Sequence, residues 1–314
     1  IQGWRDNVVN VCRESTYAFL SKIVDELAAM YQEAGVPLTT VHTGGDEVPA
    51  GVWKRSPVCR TALEGGQLQG AKESKDLPAY FIKRFNRILR ERNLITAGWE
   101  EVALTGAEEH GVDRSPNTDL LDGNLLVYIW NSVWGWGGEE NAYKLANAGF
   151  PVILCNAPNL YFDLAYEKGS DEPGYYWAGF VDTRKPFEFA PENFYLNITH
   201  DLMGRPVDPD KINKAIRLTP SGRENLVGIQ AELWSENAKS SELLEYMAFP
   251  KLLAFAERSW SPRPDWAREE DPDKRNSEME ADWNRLANAI GQREMHRLCY
   301  LEGGVAYRIP PPGA

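Results

Sequence analysis

The sequence has few of the features that mark membrane-spanning or metal-binding chains. Its longest strongly apolar run, residues 125–130, is far shorter than the roughly 18 residues that a membrane span requires. Only 4 histidines and 4 cysteines occur, and no two cysteines are spaced as in zinc-binding or dithiol motifs. The composition therefore predicts neither a membrane span nor a metal centre.

Positive charge is also scarce. The chain has 34 Lys and Arg residues and 46 Asp and Glu residues, which gives a formal net charge of −12. A negative excess disfavours binding to nucleic-acid phosphates and to anionic membrane surfaces. We therefore expect no nucleic-acid partner, and a neutral or cationic substrate is easier to host. Residues 1–6 also lack the basic start and apolar core of a signal peptide.

Predicted helices and strands alternate along the chain. A helix over 16–34 precedes a strand that ends at His42, and Pro78 opens a second helix. Another helix spans 139–148, and a helical stretch over 241–260 contains Pro250, which predicts a kink or a break. The segments 51–76 and 158–201 are interpreted as long loops. The remaining predicted strands are 94–99, 125–130, 152–156 and 227–234.

This alternation predicts a parallel α/β sheet that resembles part of a (β/α)₈ TIM barrel, in which chemistry occurs at the carboxyl ends of the strands. With 314 residues, the chain could form one large α/β domain or two smaller ones. We predict a part of such a barrel over 1–265 and a helical extension packed on it over 266–303. A Pro-rich linker is predicted over 304–314.

The run Gly44-Gly45-Asp46-Glu47 follows the first predicted strand and places two carboxylates at its end. Two adjacent like charges do not both ionise cheaply, so one carboxyl group is expected to stay protonated and to act as a proton donor. The two glycines permit a bend that turns both carboxylates towards one cavity. A solvated acidic turn remains the alternative interpretation.

Aromatic residues also occur where predicted strands end, namely Trp99, Trp130 and Trp234. Indole faces stack on the C–H faces of sugars, and carboxylates accept hydrogen bonds from sugar hydroxyl groups. Tyr161 and Asp163 are two residues apart and would share one side of an extended segment. The pattern favours a saccharide site, although any single tryptophan taken alone is better explained by core packing.

Four ordered motifs resemble the β-N-acetylhexosaminidases of glycoside hydrolase family 20, and within it the bacterial chitobiases. These motifs are His42-Thr-Gly-Gly-Asp-Glu47, Gly98-Trp-Glu100, Tyr161-Phe-Asp163 and the run from Gly228 to Glu236. Chitobiase-like features also include Pro173-Gly-Tyr-Tyr-Trp177, Ala256-Glu-Arg-Ser-Trp260 and Gly304-Val-Ala-Tyr-Arg308. The resemblance extends over nearly the whole chain.

The resemblance implies exo-acting hydrolysis of terminal GlcNAc, or of GalNAc, from chitobiose and chitooligosaccharides, without a cofactor or a metal. Glu47 matches the general acid and base, and Asp46 matches the residue that orients the substrate's own acetamide nucleophile. Tyr161 matches the phenol that donates to the acetamide oxygen. The sugar pocket is implied to include Trp99, Trp130, Trp234, Asp163 and Glu236.

Further assignments also follow from the resemblance. Trp177 matches a platform for the next sugar, and His42 orients the acid pair, although a strand histidine bonded to the backbone fits equally well. Chitobiases place a disulfide where Cys12 and Cys59 occur, and this pairing implies a periplasmic or secreted protein. From the residues alone, this disulfide is one option, and Cys155 is interpreted as a buried apolar residue.

The match also has gaps. In the family the Asp-Glu pair follows the fourth barrel strand, whereas a single helix precedes it here. We therefore expect a fragment with strands four to eight, without the first three strands and their sugar-binding arginine. Such a remnant would expose an apolar edge and flank. The Pro-rich end points to an absent immunoglobulin-like domain, and activity of the fragment alone is left open.

Other functions stay open at this point. A non-catalytic glycan-binding protein on the same scaffold would not need Glu47. A metal-dependent barrel hydrolase would use His42, Asp46 and Glu47 as ligands, which the scarcity of histidine disfavours. A structural or interaction role would follow if no pocket formed. The sequence does not discriminate GlcNAc from GalNAc.

Overall fold

The structure is a computed structural model that describes residues 8–105, 114–121, 123–301 and 303–309. It contains two compact units. The first unit comprises Ile1–Trp130, Glu140–Ile153 and Thr219–Val227, and the second comprises Asn131–Glu139, Leu154–Leu218 and Gly228–Ala314. Residues 310–314 of the predicted linker lie outside the described residues. The predicted domain boundaries at residues 265 and 303 stay predictions.

Five strands form one sheet in sequential order. Strand β1 pairs in parallel with β2, with Val41 opposite Thr96, and β2 pairs in parallel with β3, with Gly98 opposite Val127. Parallel neighbours in chain order require a helical crossover, which the intervening helices provide. The strands are β1 Thr40–His42, β2 Ile95–Trp99, β3 Leu125–Ile129, β4 Val152–Leu154 and β5 Leu226–Ile229.

The described residues contain the α-helices α1 Glu14–Glu33, α2 Pro57–Glu64, α3 Leu77–Arg90, α4 Asn141–Ala148, α5 Ala157–Leu160, α6 Arg184–Glu188, α7 Pro209–Lys214, α8 Pro220–Glu224, α9 Ser241–Ala248, α10 Lys251–Trp260, α11 Pro272–Ala289 and α12 Met295–Leu298. Gly149 ends α4 in the left-handed conformation, with φ of 104°. Pro250 separates α9 from α10, as predicted. No helix among the described residues combines the length and the apolar composition that crossing a bilayer requires.

In the first unit, α1 and α3 pack their apolar faces around β1 and β2. Val24, Phe85, Leu89 and Leu94 form the buried centre of this cluster. The side chain of Asn86 also ties α3 to the sheet, because its Oδ1 accepts from Thr96 Oγ1 at 2.8 Å. A buried polar pair of this kind fixes one register of helix on sheet, since a shifted register would leave both groups unpaired.

Two predicted loops contain helices, so these predictions are wrong in part. Residues 51–76 include α2, which begins where Ser56 Oγ accepts from the backbone N–H of Cys59 at 3.3 Å. Pro57 follows this N-cap and has the φ that a first helical turn needs. The Gly- and Lys-rich residues on either side are typical of loops, so this helix start was not predicted from the sequence. Residues 158–201 likewise include α6 and a 3₁₀ turn, Phe194–Asn197.

The apolar stripe predicted for α1 is buried only in part. Val24 is 1% exposed, whereas Phe19 and Met30 are 61% and 63% exposed. Strand β1 is at the edge of the sheet, so α1 beside it has a partner surface on one side only. The expectation of an exposed apolar flank therefore agrees with the described residues.

In the second unit, α6, α10 and α11 share an aromatic core. The ring of Phe187 lies 5.4 Å from that of Trp283 and 6.2 Å from that of Trp266, and Ala254 of α10 is fully buried against this group. The predicted final helix around Trp283 is thus present and buried on one face.

Cys12 and Cys59 form a disulfide, as the resemblance implied. The bond joins the segment before α1 to α2 across a sequence separation of 47 residues. Cys155 is fully buried, in agreement with its interpretation as an apolar residue. The disulfide holds Trp53 and Leu68 in the same buried cluster as Val11.

Replacing Cys12 and Cys59 together by Ser should lower the free energy of unfolding by about 2–4 kcal/mol, because the unfolded chain regains the freedom of a long loop. Urea denaturation followed by circular dichroism measures this change. The control is Cys299→Ser, at an exposed cysteine, which should leave the midpoint unchanged. Equal midpoints for all three proteins would contradict a stabilising disulfide.

Candidate active site

The turn that contains Asp46 and Glu47 follows two residues that extend the hydrogen bonding between β1 and β2. Beyond the end of β1, the N–H of Thr43 donates to Ala97 O at 2.8 Å, and the N–H of Trp99 donates to Gly44 O at 3.0 Å. The Thr43 hydroxyl also donates to Ala97 O, at 2.9 Å. These bonds fix the position at which the chain leaves the sheet, two residues before Asp46.

The two glycines are required by the conformation of this turn. Gly44 and Gly45 have φ of +67° and +93°, which side chains disfavour. A Cβ on Gly45 would also lie 2.2 Å from Cγ1 of Val102, and one on Gly98 would lie 3.1 Å from Gly44 O. The turn, strand β2 and the side chain of Val102 therefore pack closely only because Gly45 and Gly98 lack side chains.

Glu47 itself has φ of +50°, in the left-handed region that residues other than glycine rarely adopt. This conformation costs about 1–2 kcal/mol for an L-residue with a Cβ. Strain of this kind persists only where surrounding bonds impose it, and it concentrates at functional sites. The sequence motif predicted a bend, and the structure places the strain on the second carboxylate.

Asp46 and Glu47 are exposed and border a cavity of about 710 Å³ in the first unit. Its wall includes apolar side chains of α1 and α3 beside the charged groups Glu101 and Arg114. A cavity of this size is in the range of small-ligand sites. Both carboxylates therefore border one cavity, and both are also accessible to solvent.

His42 lies at the end of β1 with its ring against two aromatic rings. The ring centroids are 5.1 Å from Trp99 and 4.8 Å from Tyr128, both in edge arrangements. Nδ1 accepts from the N–H of Gly44 at 3.2 Å. Desolvation of the ring lowers the pKa of His42, and the negative charge of Asp46 opposes this effect. A neutral imidazole that accepts from the turn fits the backbone-bonded interpretation of His42.

Trp130 is held by two glutamates that the sequence analysis did not assign. The buried Glu100 accepts from the N–H of Trp130 at 2.8 Å and from Nδ2 of Asn141 at 2.9 Å. Glu101 accepts from Nε1 of Trp130 at 3.0 Å. The Glu100-Glu101 doublet after Trp99 was visible in the sequence, but its pairing with the next strand required the fold.

Three of the predicted sugar-binding aromatics form one cluster in the second unit. The ring of Tyr161 lies 5.8 Å from that of Trp177 and 6.2 Å from that of Trp234, in edge arrangements. Tyr161 is 4% exposed and Trp234 is 40% exposed. Trp136, which sequence reasoning missed, stacks on Trp177 with the ring centroids 5.7 Å apart. The cluster thus has a buried phenol beside an accessible indole.

Asp163 belongs to the same cluster and is 3% exposed. Its Oδ1 accepts from the N–H of Trp234 at 3.2 Å. Desolvation raises the pKa of Asp163 to about 6, and the negative charge of Glu236 adds to the rise, whereas the Trp234 hydrogen bond opposes it. Glu236 itself is exposed. The carboxyl group of Asp163 is therefore poised to accept a hydrogen bond in a site with little water.

The candidate residues thus fall into two groups, each within one unit. The first contains His42, Asp46, Glu47, Trp99 and Trp130, and the second contains Tyr161, Asp163, Trp177, Trp234 and Glu236. Trp99 and Trp130 are both buried, at 6% and 8% exposure. Their predicted catalytic and sugar-binding roles stay predictions. The described residues contain no group of three His, Cys, Asp or Glu side chains in metal-binding geometry.

Residues 2–263 match the catalytic domain of glycosyl hydrolase family 20. The chain belongs to this family. It is 33% identical to a β-hexosaminidase of Vibrio vulnificus, over 100% of this chain and 37% of that protein. It is also 33% identical to the N,N'-diacetylchitobiase of Vibrio harveyi, over 99% of this chain and 37% of that protein. The resemblance stated from the motifs is therefore confirmed.

Solved structures agree with the family assignment. The exo-β-N-acetylglucosaminidase of Vibrio harveyi, solved with N-acetylglucosamine, matches with a TM-score of 0.63 at 28% identity over 99% of this chain and 38% of that chain. The five-stranded sheet with its helices fits an incomplete α/β barrel, as predicted. This family 20 chain spans little more than a third of the length of these relatives, at 37% of each curated one.

Substituting Gly45 by Ala should destabilise the turn more than substituting Gly44 by Ala. Both changes add the cost of a side chain at positive φ, about 1–2 kcal/mol. Only Gly45→Ala adds the clash with Val102, which costs about 1–3 kcal/mol more. Urea unfolding of the two variants measures the difference, and Val102→Ala combined with Gly45→Ala should recover the steric part. Equal losses at the two glycines would show that Val102 does not limit the turn.

Glu100→Gln should lower the free energy of unfolding by about 1–3 kcal/mol, because its amide N–H₂ would face one of two buried donors and leave it unpaired. Chemical denaturation measures the change. Glu91→Gln, at an exposed glutamate that follows α3, is the matched control and should be neutral. A neutral Glu100→Gln would mean that Glu100 does not hold Trp130.

Proposed function

We propose that this chain carries the acid and base chemistry of an exo-acting β-N-acetylhexosaminidase. Its substrates would be chitobiose and chitooligosaccharides with a terminal, non-reducing GlcNAc, or other glycans ending in β-linked GlcNAc or GalNAc. The observation that carries this proposal is the pair Asp46 and Glu47, placed on a strained glycine turn at the end of β1 and beside a cavity. Family membership and the names of the Vibrio relatives support it.

In the proposed first step, Glu47 is protonated and donates its proton to the glycosidic oxygen as the bond to the anomeric carbon breaks. The substrate's own acetamide oxygen attacks that carbon from the opposite face and forms a cyclic oxazolinium intermediate. The leaving sugar departs as an alcohol. Glu47 is left as a carboxylate, which is the form that the second step requires.

In the second step, Glu47 takes a proton from a water molecule, and the oxygen of that water attacks the anomeric carbon. The oxazolinium ring opens, the acetamide is restored, and the product retains its β configuration. Asp46 orients the acetamide N–H and stabilises the positive charge of the intermediate. Adjacent carboxylates with different protonation states suit this division of roles.

The aromatic cluster of the second unit has the chemistry expected of a saccharide site. Trp234 offers an accessible indole face for the C–H groups of a sugar, and Asp163 accepts from a sugar hydroxyl. The phenol of Tyr161 donates to the acetamide oxygen, and Trp177 supports the next sugar. In the first unit, Trp99 and Trp130 are proposed as further sugar-binding residues, and in the second unit Glu236 is a further hydroxyl acceptor.

We also propose that the protein acts in the periplasm or outside the cell. The disulfide between Cys12 and Cys59 supports this assignment, because structural disulfides persist in oxidising compartments.

Glu47→Gln should lower the rate of aryl β-N-acetylglucosaminide hydrolysis by about 10²–10⁴-fold, because it removes the group that transfers the proton. The aryl β-glucoside should not be hydrolysed at all, since it lacks the acetamide nucleophile. The measurement uses this chain and a longer polypeptide that continues upstream of Ile1. Glu33→Gln, at an exposed glutamate that ends α1, is the control and should keep full activity.

Three outcomes would contradict the proposal. Hydrolysis of both sugars at similar rates would exclude acetamide participation. Full activity of Glu47→Gln would remove the assigned acid. Binding of chitooligosaccharides without turnover, in the chain and in the longer polypeptide alike, would favour a non-catalytic glycan-binding protein on the same scaffold.

A further inference from the structure

Lys251 is the first residue of α10, and its side chain is 0% exposed. Nζ donates to Phe162 O at 2.9 Å and to Leu164 O at 2.7 Å. It also lies 3.8 Å from the centre of the Tyr166 ring. A buried lysine is rare, and its desolvation is offset only when carbonyl groups and an aromatic face surround the ammonium group, as they do here.

The two carbonyl acceptors belong to the residues on either side of Asp163. Lys251 therefore holds the peptide groups that set the position of the Asp163 side chain. The same segment is fixed from two further directions, since Phe162 N–H donates to Glu232 O at 2.7 Å and Ala165 N–H donates to Tyr175 O at 2.8 Å. The backbone around Asp163 is thus fixed by side-chain and main-chain bonds together.

A glycine closes the other side of this segment. A Cβ on Gly174 would lie 2.5 Å from Asp163 O and 2.8 Å from Ala165 N, so residues 163–165 have almost no room to move in that direction. Asp163 Oδ1 accepts from the N–H of Trp234, and so a displacement of the Asp163 backbone would also break this contact. Lys251 is the one cation among these fixing groups.

We propose that Lys251 is a positioning residue for the sugar site: its ammonium group fixes the backbone on both sides of Asp163 and so keeps the Asp163 carboxylate aligned to accept a substrate hydroxyl. This inference rests on the function proposed above, because it takes Asp163 as a sugar-binding acceptor. Lys251 itself is not expected to touch substrate, since it is fully buried behind the segment.

The protonation state of Lys251 depends on its burial and on the charged groups around it. Asp163, Glu172 and Asp182 favour its positive charge, whereas Arg308 opposes it. Burial outweighs the attractive groups and lowers the pKa of Lys251 to about 7. Glu172 and Arg308 also interact with each other. Glu172 accepts from Tyr246 Oη at 3.2 Å and lies 3.7 Å from Arg308.

The pH dependence has a definite sign. Below about pH 6, Asp163 gains a proton and loses its full strength as an acceptor, because burial raises its pKa to about 6. Above about pH 7, Lys251 loses its charge, and the hydrogen bonds to Phe162 O and Leu164 O weaken. Sugar binding should therefore be strongest between these two values and should weaken as pH rises through 7.

The test compares wild type with Lys251→Met and Lys251→Arg by titrating N-acetylglucosamine calorimetrically from pH 5 to 9. Lys251→Met should weaken binding by roughly 10- to 100-fold, since a small displacement of a positioned group costs up to about 10²-fold. Lys251→Arg stays protonated and should bind without the loss above pH 7. Lys239→Met, at an exposed lysine of the same unit, should match wild type at every pH.

A second measurement does not depend on sugar binding. The carboxyl carbon of Asp163, followed by NMR across the same pH range, should titrate at higher pH in Lys251→Met than in wild type, because a nearby positive charge is lost. It should stay near the wild-type value in Lys251→Arg and in Lys239→Met. Proton transfer from Glu47 does not enter either readout, so they are independent of the acid assignment.

An Asp163 titration that is the same in all four proteins would overturn the positioning role. So would identical pH profiles of sugar binding in wild type and Lys251→Arg, with the loss above pH 7 retained. If the Asp163 titration shifts as expected but no protein binds the sugar, the coupling of Lys251 to Asp163 stands and the saccharide site proposed above fails. Should Lys251→Met not fold, the comparison of wild type with Lys251→Arg still decides the pH dependence.

Discussion

The close approach of the turn after β1 to strand β2 and to the side chain of Val102 is the constraint on which the acid pair depends. Gly45 and Gly98 leave room for Val102, and Gly98 also leaves room for the carbonyl group of Gly44. Because Thr43 and Gly44 are bonded to β2, the chain beyond them has little choice of direction. The left-handed backbone of Glu47 follows from that restriction, and its strain is offset by the bonds of the surrounding sheet.

A similar principle applies in the second unit, where the proposed sugar-binding carboxylate is again held through its backbone. Asp163 lies between two carbonyls that Lys251 binds and beside Gly174, which leaves no space for a displacement. In both units, the residues proposed for catalysis or binding lie on segments that are fixed by polar contacts. Glu100 does the same for Trp130. Rigid placement of this kind lowers the free-energy cost of ordering a site when substrate binds.

Much of the fold and part of the site were predictable from the sequence. The helical stripe of α1, the stop at Gly149 and the break at Pro250 are local signals, and the structure confirms each of them. The motif around Asp46 and Glu47 indicated a turn with two carboxylates, and the family match agrees with it. The α2 helix was missed because the single N-cap signal Ser56-Pro57 lies among Gly- and Lys-rich residues that are typical of loops. How much of α1 is buried was not predictable, because a sequence pattern does not show which helix face meets a partner surface.

By itself, the sequence determined the kinds of chemistry available: paired carboxylates after a strand, tryptophans at strand ends, an acidic net charge and a family signature. These properties depend on residue type and short spacing, which a linear chain already contains. Only the tertiary structure decided which groups meet, because the contacts join residues far apart in sequence. Glu100 reaches Trp130 over 30 positions, and Lys251 reaches Leu164 over 87. It also decided where strain and desolvation fall, since both arise from the close packing of distant segments around Glu47, Asp163 and Lys251.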